Sequence, residues 1–470
     1  ARWISLPTPA PLPPPSAMDR PTPPANGESE PPQRPAPPLG RCHFWLPNKR
    51  RYCANSPLSS TQYCGNHPPE SSSASRRRVP CPVDPSHTVF EENLEAHVGK
   101  CPFRKHADAL AAQPYYSKGI NSGGGEADVT SAAKRASVHK LSEEEFWALV
   151  AKIRSAHAMA AVQMRESHVA PEACRKWMKG QVDRTVPYQE KHVVQQVSIV
   201  GNMETFGLLA RGGAEDAAAE NAPAVVEFGA GRGYLTQMLA DCYGIKNIFL
   251  VERRSYKLKA DRSLRQNEGV TLERLRIDIE DLNLRGVQAL SGVQYLAIGK
   301  HLCGPATDMT IMCCLHEQYN HKKEKGHDNH RLRGLALATC CHHLCQWKHY
   351  TNKAFLSGLG IAEEEFHAMT WFSSWAVDGD HNSQDSLDAE DSSSEVREAK
   401  KPDREIIGIE RIIRGIPGEE RSTLGFMCKD IIDTGRLLWL RSKGLDADLV
   451  SYVSSDISPE NHLLVAKCRS

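Results

Sequence analysis

Three absences narrow what this chain can be. No stretch approaches the about 18 consecutive apolar residues that a membrane-spanning helix needs, so none is expected. The first residues hold no basic cluster followed by an apolar run, so no secretory leader is expected either. Neither charge is in excess: 58 Lys and Arg stand against 57 Asp and Glu. Attraction to a polyanion must therefore come from local clusters rather than the whole molecule. What the chain does have is cysteine, 15 in 470 residues. Several cysteines sit in tight groups with histidine, which favours zinc and reduced thiols over disulfides, in an intracellular protein. Beyond Arg76–Arg78 no basic run separates nucleus from cytoplasm, and no segment indicates an obligate protein partner.

Residues 1–40 carry 14 prolines and almost no periodicity, the mark of a disordered tail with local polyproline character. Two ligand sets follow. Cys42, Cys53, Cys64 and His67 are spaced C-x10-C-x10-C-x2-H. Three thiolates and one imidazole satisfy tetrahedral zinc. Cys81, His87, His97 and Cys101 are spaced C-x5-H-x9-H-x3-C, with His97 and Cys101 on one face of an expected helix. Segments this short need a metal staple. Residues 41–69 and 78–106 are therefore read as a CCCH-type and a CHHC-type finger, each holding one structural Zn2+. Arg41, Arg50, Arg51, Phe44, Trp45, Tyr52 and Tyr63 surround the first set; Arg76–Arg78, Lys100, Arg104 and Lys105 flank the second. Such rims either bind RNA by stacking and phosphate pairing or pack around the metal and face water.

Residues 107–138, rich in Gly, Ser and Ala, read as a linker, and 139–180 as a helical segment. A capping box, Ser142 to Glu145, opens a helix running to about Met164. Its stripe of Phe146, Leu149, Val150, Ile153, Ala156 and Ala160 either joins a coiled coil or docks on its own domain. A second helix is expected over 166–179. In 188–209, Lys191, His192 and Gln195 read as helix surface.

The organising stretch is Ala224–Thr236, AVVEFGAGRGYLT: a short buried strand, a glycine turn and the start of a helix. The dinucleotide fingerprint G-x-G-x-x-G needs glycine where Tyr234 stands. Glu227, Gly229, Gly231 and Gly233 instead fit a nucleoside ligand with no pyrophosphate to cradle, such as S-adenosylmethionine (SAM). Glu252 ends a second strand 21 residues past Gly231, placed to accept hydrogen bonds from ribose hydroxyls. Asp278 ends a third strand, placed to reach the adenine amino group. Strands four and five are expected over 293–298 and 333–338. A helix spans 421–443, and 448–453 with 463–467 form a terminal antiparallel hairpin, which methyltransferase folds use and dehydrogenase folds do not. Residues 378–404 are acidic and Ser-rich, a mobile insertion. The fold class is thus α/β, a Rossmann-like SAM-dependent methyltransferase sheet over 187–470 with a terminal hairpin, preceded by two small fingers and a helical segment.

The chain resembles the eukaryotic tRNA ribose 2'-O-methyltransferase family that modifies the fourth nucleotide of the acceptor stem. The resemblance runs over about residues 40–470 through both finger ligand sets, KHVVQQVSIVGNM, VVEFGAGRGYLT, GKHLCGPATD, LATCCHHLCQWKHY, GFMCKDIIDTGRLLWL and SPENHLL, in that order. It implies a SAM-dependent enzyme acting on tRNA with cytidine or adenosine at that position, an RNA-binding CHHC finger, and Gly229, Gly231 and Gly233 as the SAM loop. Methyl transfer to a ribose 2'-oxygen needs in-line placement and removal of a proton. Strands four and five end at the site, where Lys300 and His342 are expected to carry the chemistry, with His301 and His343 as further candidates for base or phosphate contact. Asp308 either orients a base or caps a surface helix, and Trp347, Lys348, His349 and Tyr350 are expected along the RNA path. Cys303, Cys340, Cys341 and Cys345 suggest a third metal site or a nucleophile. Adjacent cysteines count against one ion, and none of the four follows proline, as a C5-methylating nucleophile usually does. Fingers and catalytic domain are expected to clamp the stem at two points, the helix from Ser142 setting their spacing. Two rivals stand beside this: an RNA-binding protein with a degenerate methyltransferase fold, and a SAM methyltransferase for another nucleic acid or a protein.

Overall fold

A computed structural model describes residues 36–46, 51–57, 61–64, 67, 77–84, 87–125, 127–161, 164–181, 189–211, 223–254, 261, 264–265, 269–320, 331–377 and 408–469. Most of the proline-rich tail, the loop 212–222, the basic stretch 255–260 and the acidic insertion 378–404 lie outside the described residues. The chain divides into two compact units, 1–101 and 102–470.

The first unit has almost no apolar interior. Strands β1 (Trp45–Leu46) and β2 (Arg51–Tyr52) pair antiparallel, as do β3 (Arg78–Pro80) and β4 (Thr88–Phe90), and a helix spans Leu94–Lys100. Around the first ligand set the buried cluster is Cys42, Cys53 and Cys64, with Leu46 and Tyr63 against them. That is too little apolar surface to offset chain entropy, so the metal must hold the fold.

The second unit is built on one sheet. Its strands are β5 (Arg165–Glu166), β6 (Ala224–Phe228), β7 (Asn247–Val251), β8 (Thr271–Leu275), β9 (Gln294–Cys303), β10 (Arg331–Cys340), β11 (Leu445–Ser451) and β12 (His462–Cys468). They lie in the order β5-β11-β12-β10-β9-β6-β7-β8. Every pairing is parallel except those of β12, which runs antiparallel between β10 and β11. This is the expected terminal hairpin. Helices cover both faces, so the central strands are apolar on both sides. Ala224, Val226 and Phe228 enter one core with Ala297, Leu335 and Leu337. Val225 enters the other with Leu296, Ile298 and Ala336.

A third core forms off the sheet. The helix Glu143–Ala160, opened by the expected Ser142–Glu145 capping box, buries Phe146, Leu149, Val150, Ile153 and Ala156 against Phe366, Phe372, Ile431 and Ile432. Each such side chain is worth about 1.5–3 kcal/mol. The stripe is therefore filled within its own unit, as docking on its own domain requires and a coiled coil does not. Residues 107–138 also depart from the linker expectation. They hold part of the helix Pro102–Ala111 and all but the last residue of the helix Ser131–His139, and Asn121 is buried, donating to the backbone carbonyls of Ile279 and Leu282 at 2.7 and 2.8 Å. Small-residue composition misled here because much of the segment covers polar backbone, with only Val138 reaching a core as a fully buried apolar residue. The second expected helix, 166–179, is helical only in its second half, a 3-10 turn at Glu172–Cys174 leading into an α-helix at Arg175–Met178.

Candidate functional site

The glycine turn joins β6 to the helix Tyr234–Tyr243, and Gly229, Gly231 and Gly233 have φ of 58, 50 and 77°. At all three a side chain would be strained; at Gly233 a Cβ would also lie 3.1 Å from Leu250. Glu227, fully buried, accepts from the N–H of Thr236 at 3.2 Å and from its hydroxyl. Burial pushes the Glu227 pKa up to about 7, against the opposing pull of Thr236, Arg274 and Lys300. Glu252, at the tip of β7, accepts from Gly231 N–H at 3.1 Å and from Arg254 N–H at 2.8 Å. Asp278, beyond β8, caps a short turn through Glu280 N–H and pairs with Arg253 at 3.2 Å. Left-handed glycines with acids at the tips of β6, β7 and β8 suit a nucleoside cofactor such as SAM.

The sequence reading missed what pins this loop. Arg274, in β8, grips the buried Asp261 through two bonds of 2.9 and 2.7 Å and donates to Gly231 C=O at 3.1 Å. A charge inside a strand next to the glycine loop was the available signal.

At the tip of β9, Lys300 is 8% exposed, and burial lowers its pKa to about 8. Its Nζ lies 3.4 Å from His192 Nδ1. Burial, then the Lys300 charge, lowers the His192 pKa, so that ring is neutral at neutral pH. Gln195 is 3% exposed. The helix Glu190–Thr205 thus turns Gln195 inward, correcting the surface reading there, while Lys191 and His192 are exposed as expected.

At the tip of β10, His342 is sealed at 1% exposure. Its Nε2 lies 2.8 Å from Asp433 and its Nδ1 3.5 Å from Glu460. Burial opposes the charged ring, but Asp433 and Glu460 outweigh it and hold the His342 pKa above its ordinary value. Asp433 Oδ2 also accepts from Thr339 and His462, each at 2.8 Å, while Oδ1 pairs with Arg436 at 2.8 Å. Arg436 reaches on to Asp308, and Lys429 pairs with Glu460 at 3.2 Å. Asp308 is therefore a buried ion-pair partner and caps no surface helix. Tyr350, buried, donates to Ile432 C=O at 2.9 Å; His349 is buried too, and Lys348 pairs with Asp128 at 2.8 Å. Tyr350 and His349 offer no face to RNA. Lys134, buried in the supposed linker, donates to the carbonyls of His343 and Cys345 at 3.0 and 2.6 Å. The His301 side chain lies outside the described residues.

Both finger ligand sets converge, each within 4.8 Å. Cys42 and Cys64 lie 3.6 and 3.3 Å from His67 Nδ1. Cys81 lies 3.9 Å from Cys101 and 3.3 Å from His97, and the two His Nε2 atoms are 3.0 Å apart. Ligands about 2.0–2.3 Å from one tetrahedral zinc stand about 3.3–3.8 Å apart, so both sets fit it.

The sheet order, the hairpin and the glycine loop define a SAM-dependent methyltransferase carrying two zinc-binding Cys/His modules. Comparison with known proteins narrows this to one family. Residues 194–467 match the model described as Methyltransferase TRM13, 40–68 the CCCH zinc finger in TRM13 protein, and 78–102 a U11-48K-like CHHC zinc finger. The chain belongs to the TRM13 methyltransferase family. A "tRNA:m(4)X modification enzyme TRM13" of Oryza sativa subsp. japonica is 72% identical over 228 residues, 47% of this chain and 91% of that one. The homologs of Mus musculus and Homo sapiens are 31% and 30% identical, each covering 91% of this chain and 94% of their own.

Proposed function

We propose that this chain methylates the ribose 2'-oxygen of the fourth nucleotide, cytidine or adenosine, in the tRNA acceptor stem. The full-length relatives bear the name tRNA:m(4)X modification enzyme, which supports tRNA position 4. The observation that carries the chemistry is Lys300, a buried amine with a lowered pKa at the tip of the strand beside the glycine loop strand. When bound, SAM supplies an electrophilic methyl group. Gly229, Gly231, Gly233, Glu227, Glu252 and Asp278 hold and orient it. Lys300 Nζ takes the 2'-hydroxyl proton in its neutral form, which burial favours. His342, sealed between Asp433 and Glu460, which favour its charged form, is not the base. It is a positioning residue that fixes the turn after β10 through Asp433 and Glu460.

Labelled SAM and unmodified tRNA with cytidine at position 4, followed by nucleoside mapping, test the reading. 2'-O-methylcytidine at that position is expected; methyl transfer only to another position or to protein overturns it. The fingers supply RNA affinity. Cys81→Ser is expected to weaken tRNA binding at least tenfold in filter binding while SAM affinity by calorimetry stays within twofold.

A further inference from the structure

A third group of thiols stands apart from both fingers. Cys303 ends β9 and Cys340 ends β10, paired across the parallel register with Sγ atoms 3.6 Å apart. Cys341 joins them, and all three Sγ lie within 4.8 Å of one another. Consecutive residues of an extended strand point to opposite faces, which ordinarily keeps a Cys-Cys pair from sharing an ion. Cys341 breaks that alternation. Its backbone is left-handed, φ 50° and ψ 47°, one of two non-glycine positive φ values among the described residues. Such a conformation is strained for a residue with a Cβ. It brings the Cys341 thiol onto the side of Cys340, and Glu460 Oε1 accepts from its N–H at 3.3 Å.

The spacing is that of metal ligands. Two thiolates about 2.3 Å from one tetrahedral zinc are about 3.8 Å apart. The Cys303–Cys340 separation is 3.6 Å, against 3.9 Å for Cys81–Cys101 in the CHHC finger. We propose that Cys303, Cys340 and Cys341 form a third zinc site, three thiolates with a fourth position open to solvent on the exposed Cys303 side. Thiolate ligands select zinc over magnesium or calcium. The ion pins the tips of β9 and β10 three residues beyond Lys300, in a unit where neither finger zinc lies. The neighbouring His342, Asp433 and His462 also converge, but Arg436 already supplies the positive charge at Asp433, so that group is an ion-pair cluster and no metal site.

Zinc content of the purified full-length chain tests this, measured by mass spectrometry of the metal for wild type, Cys303→Ser and Cys341→Ala. Wild type is expected to hold three zinc ions per chain and each variant two, with SAM affinity within a few-fold. Cys341→Ala removes the ligand while keeping the backbone hydrogen bonds of the turn, so loss of its zinc without loss of folding separates binding from stability. Cobalt substitution should show thiolate-to-metal charge-transfer absorption that falls in both variants. Two zinc ions in wild type, unchanged in both variants, overturn the proposal. So does a Cys303–Cys340 disulfide in peptide maps of the native enzyme.

Discussion

The tips of β9 and β10 are neighbours in one sheet, yet they treat their polar residues in opposite ways. At β9, Lys300 is buried, and desolvation outweighs the pull of Glu227 and Cys340, so its charge is weakened: the pKa falls to about 8. At β10, His342 is buried among carboxylates, and its charge is reinforced. Burial penalises both cations; what differs is whether the neighbouring anions outweigh it, as Asp433 and Glu460 do at His342. A cation whose proton is loosely held can exchange it with a substrate, whereas one locked between Asp433 and Glu460 can only fix geometry. The contrast separates a residue that does chemistry from one that holds the site in shape, although sequence spacing presents them alike.

The contrast can be broken most severely at Arg436. Arg436→Met strands Asp308 and Asp433 as buried carboxylates, and urea denaturation of the SAM-binding unit is expected to show a loss of about 3–5 kcal/mol. His342→Gln comes next, with a loss of about 2–3 kcal/mol at neutral pH, since a charged hydrogen-bond donor to Asp433 is removed. The pKa of His342 is raised in the folded state, so its contribution is fully present below the ordinary 6.5 and is lost as pH rises through the raised value. Denaturation of wild type should therefore show an alkaline loss that His342→Gln lacks. Gly233→Ala is the mildest: a left-handed φ and the nearby Leu250 are expected to cost about 1–2 kcal/mol of loop geometry, read as roughly tenfold weaker SAM binding in calorimetry.

Local signals were legible in the sequence. The glycine loop, the finger ligand sets, the capping box and the hairpin each follow from residues close along the chain, and the structure has them where spacing placed them. The ionic cluster was not legible, because its members are far apart: His342 and Asp433 are separated by 91 residues, Arg436 and Asp308 by 128. Asp433, Lys429 and Arg436 sit in a helix whose sequence reads as an ordinary charged surface, and only the fold shows that surface turned inward. Lys134 failed the same way, a charged residue in small-residue context whose partners are carbonyls 209 and 211 positions on. Gln195 was misplaced on a helix surface, where its exposed neighbours Lys191 and His192 do lie, because periodicity cannot tell which face meets a sheet edge. Tyr350 and His349 were read as RNA contacts from composition, whereas their burial assigns them to packing.

The central claim is that Lys300 removes the proton while His342 does not. It is tested most directly by single-turnover methyl transfer to tRNA across pH, for wild type, Lys300→Met and His342→Gln. A base must be unprotonated to act, so the wild-type rate is expected to rise with pH and level off above about 8. Lys300→Met should lose about 10²–10⁴-fold and that pH dependence with it, at nearly unchanged SAM affinity, while His342→Gln keeps the rise through about 8. A Lys300→Met enzyme that keeps the wild-type rate and profile, or a His342→Gln enzyme that alone loses the profile, would contradict the account.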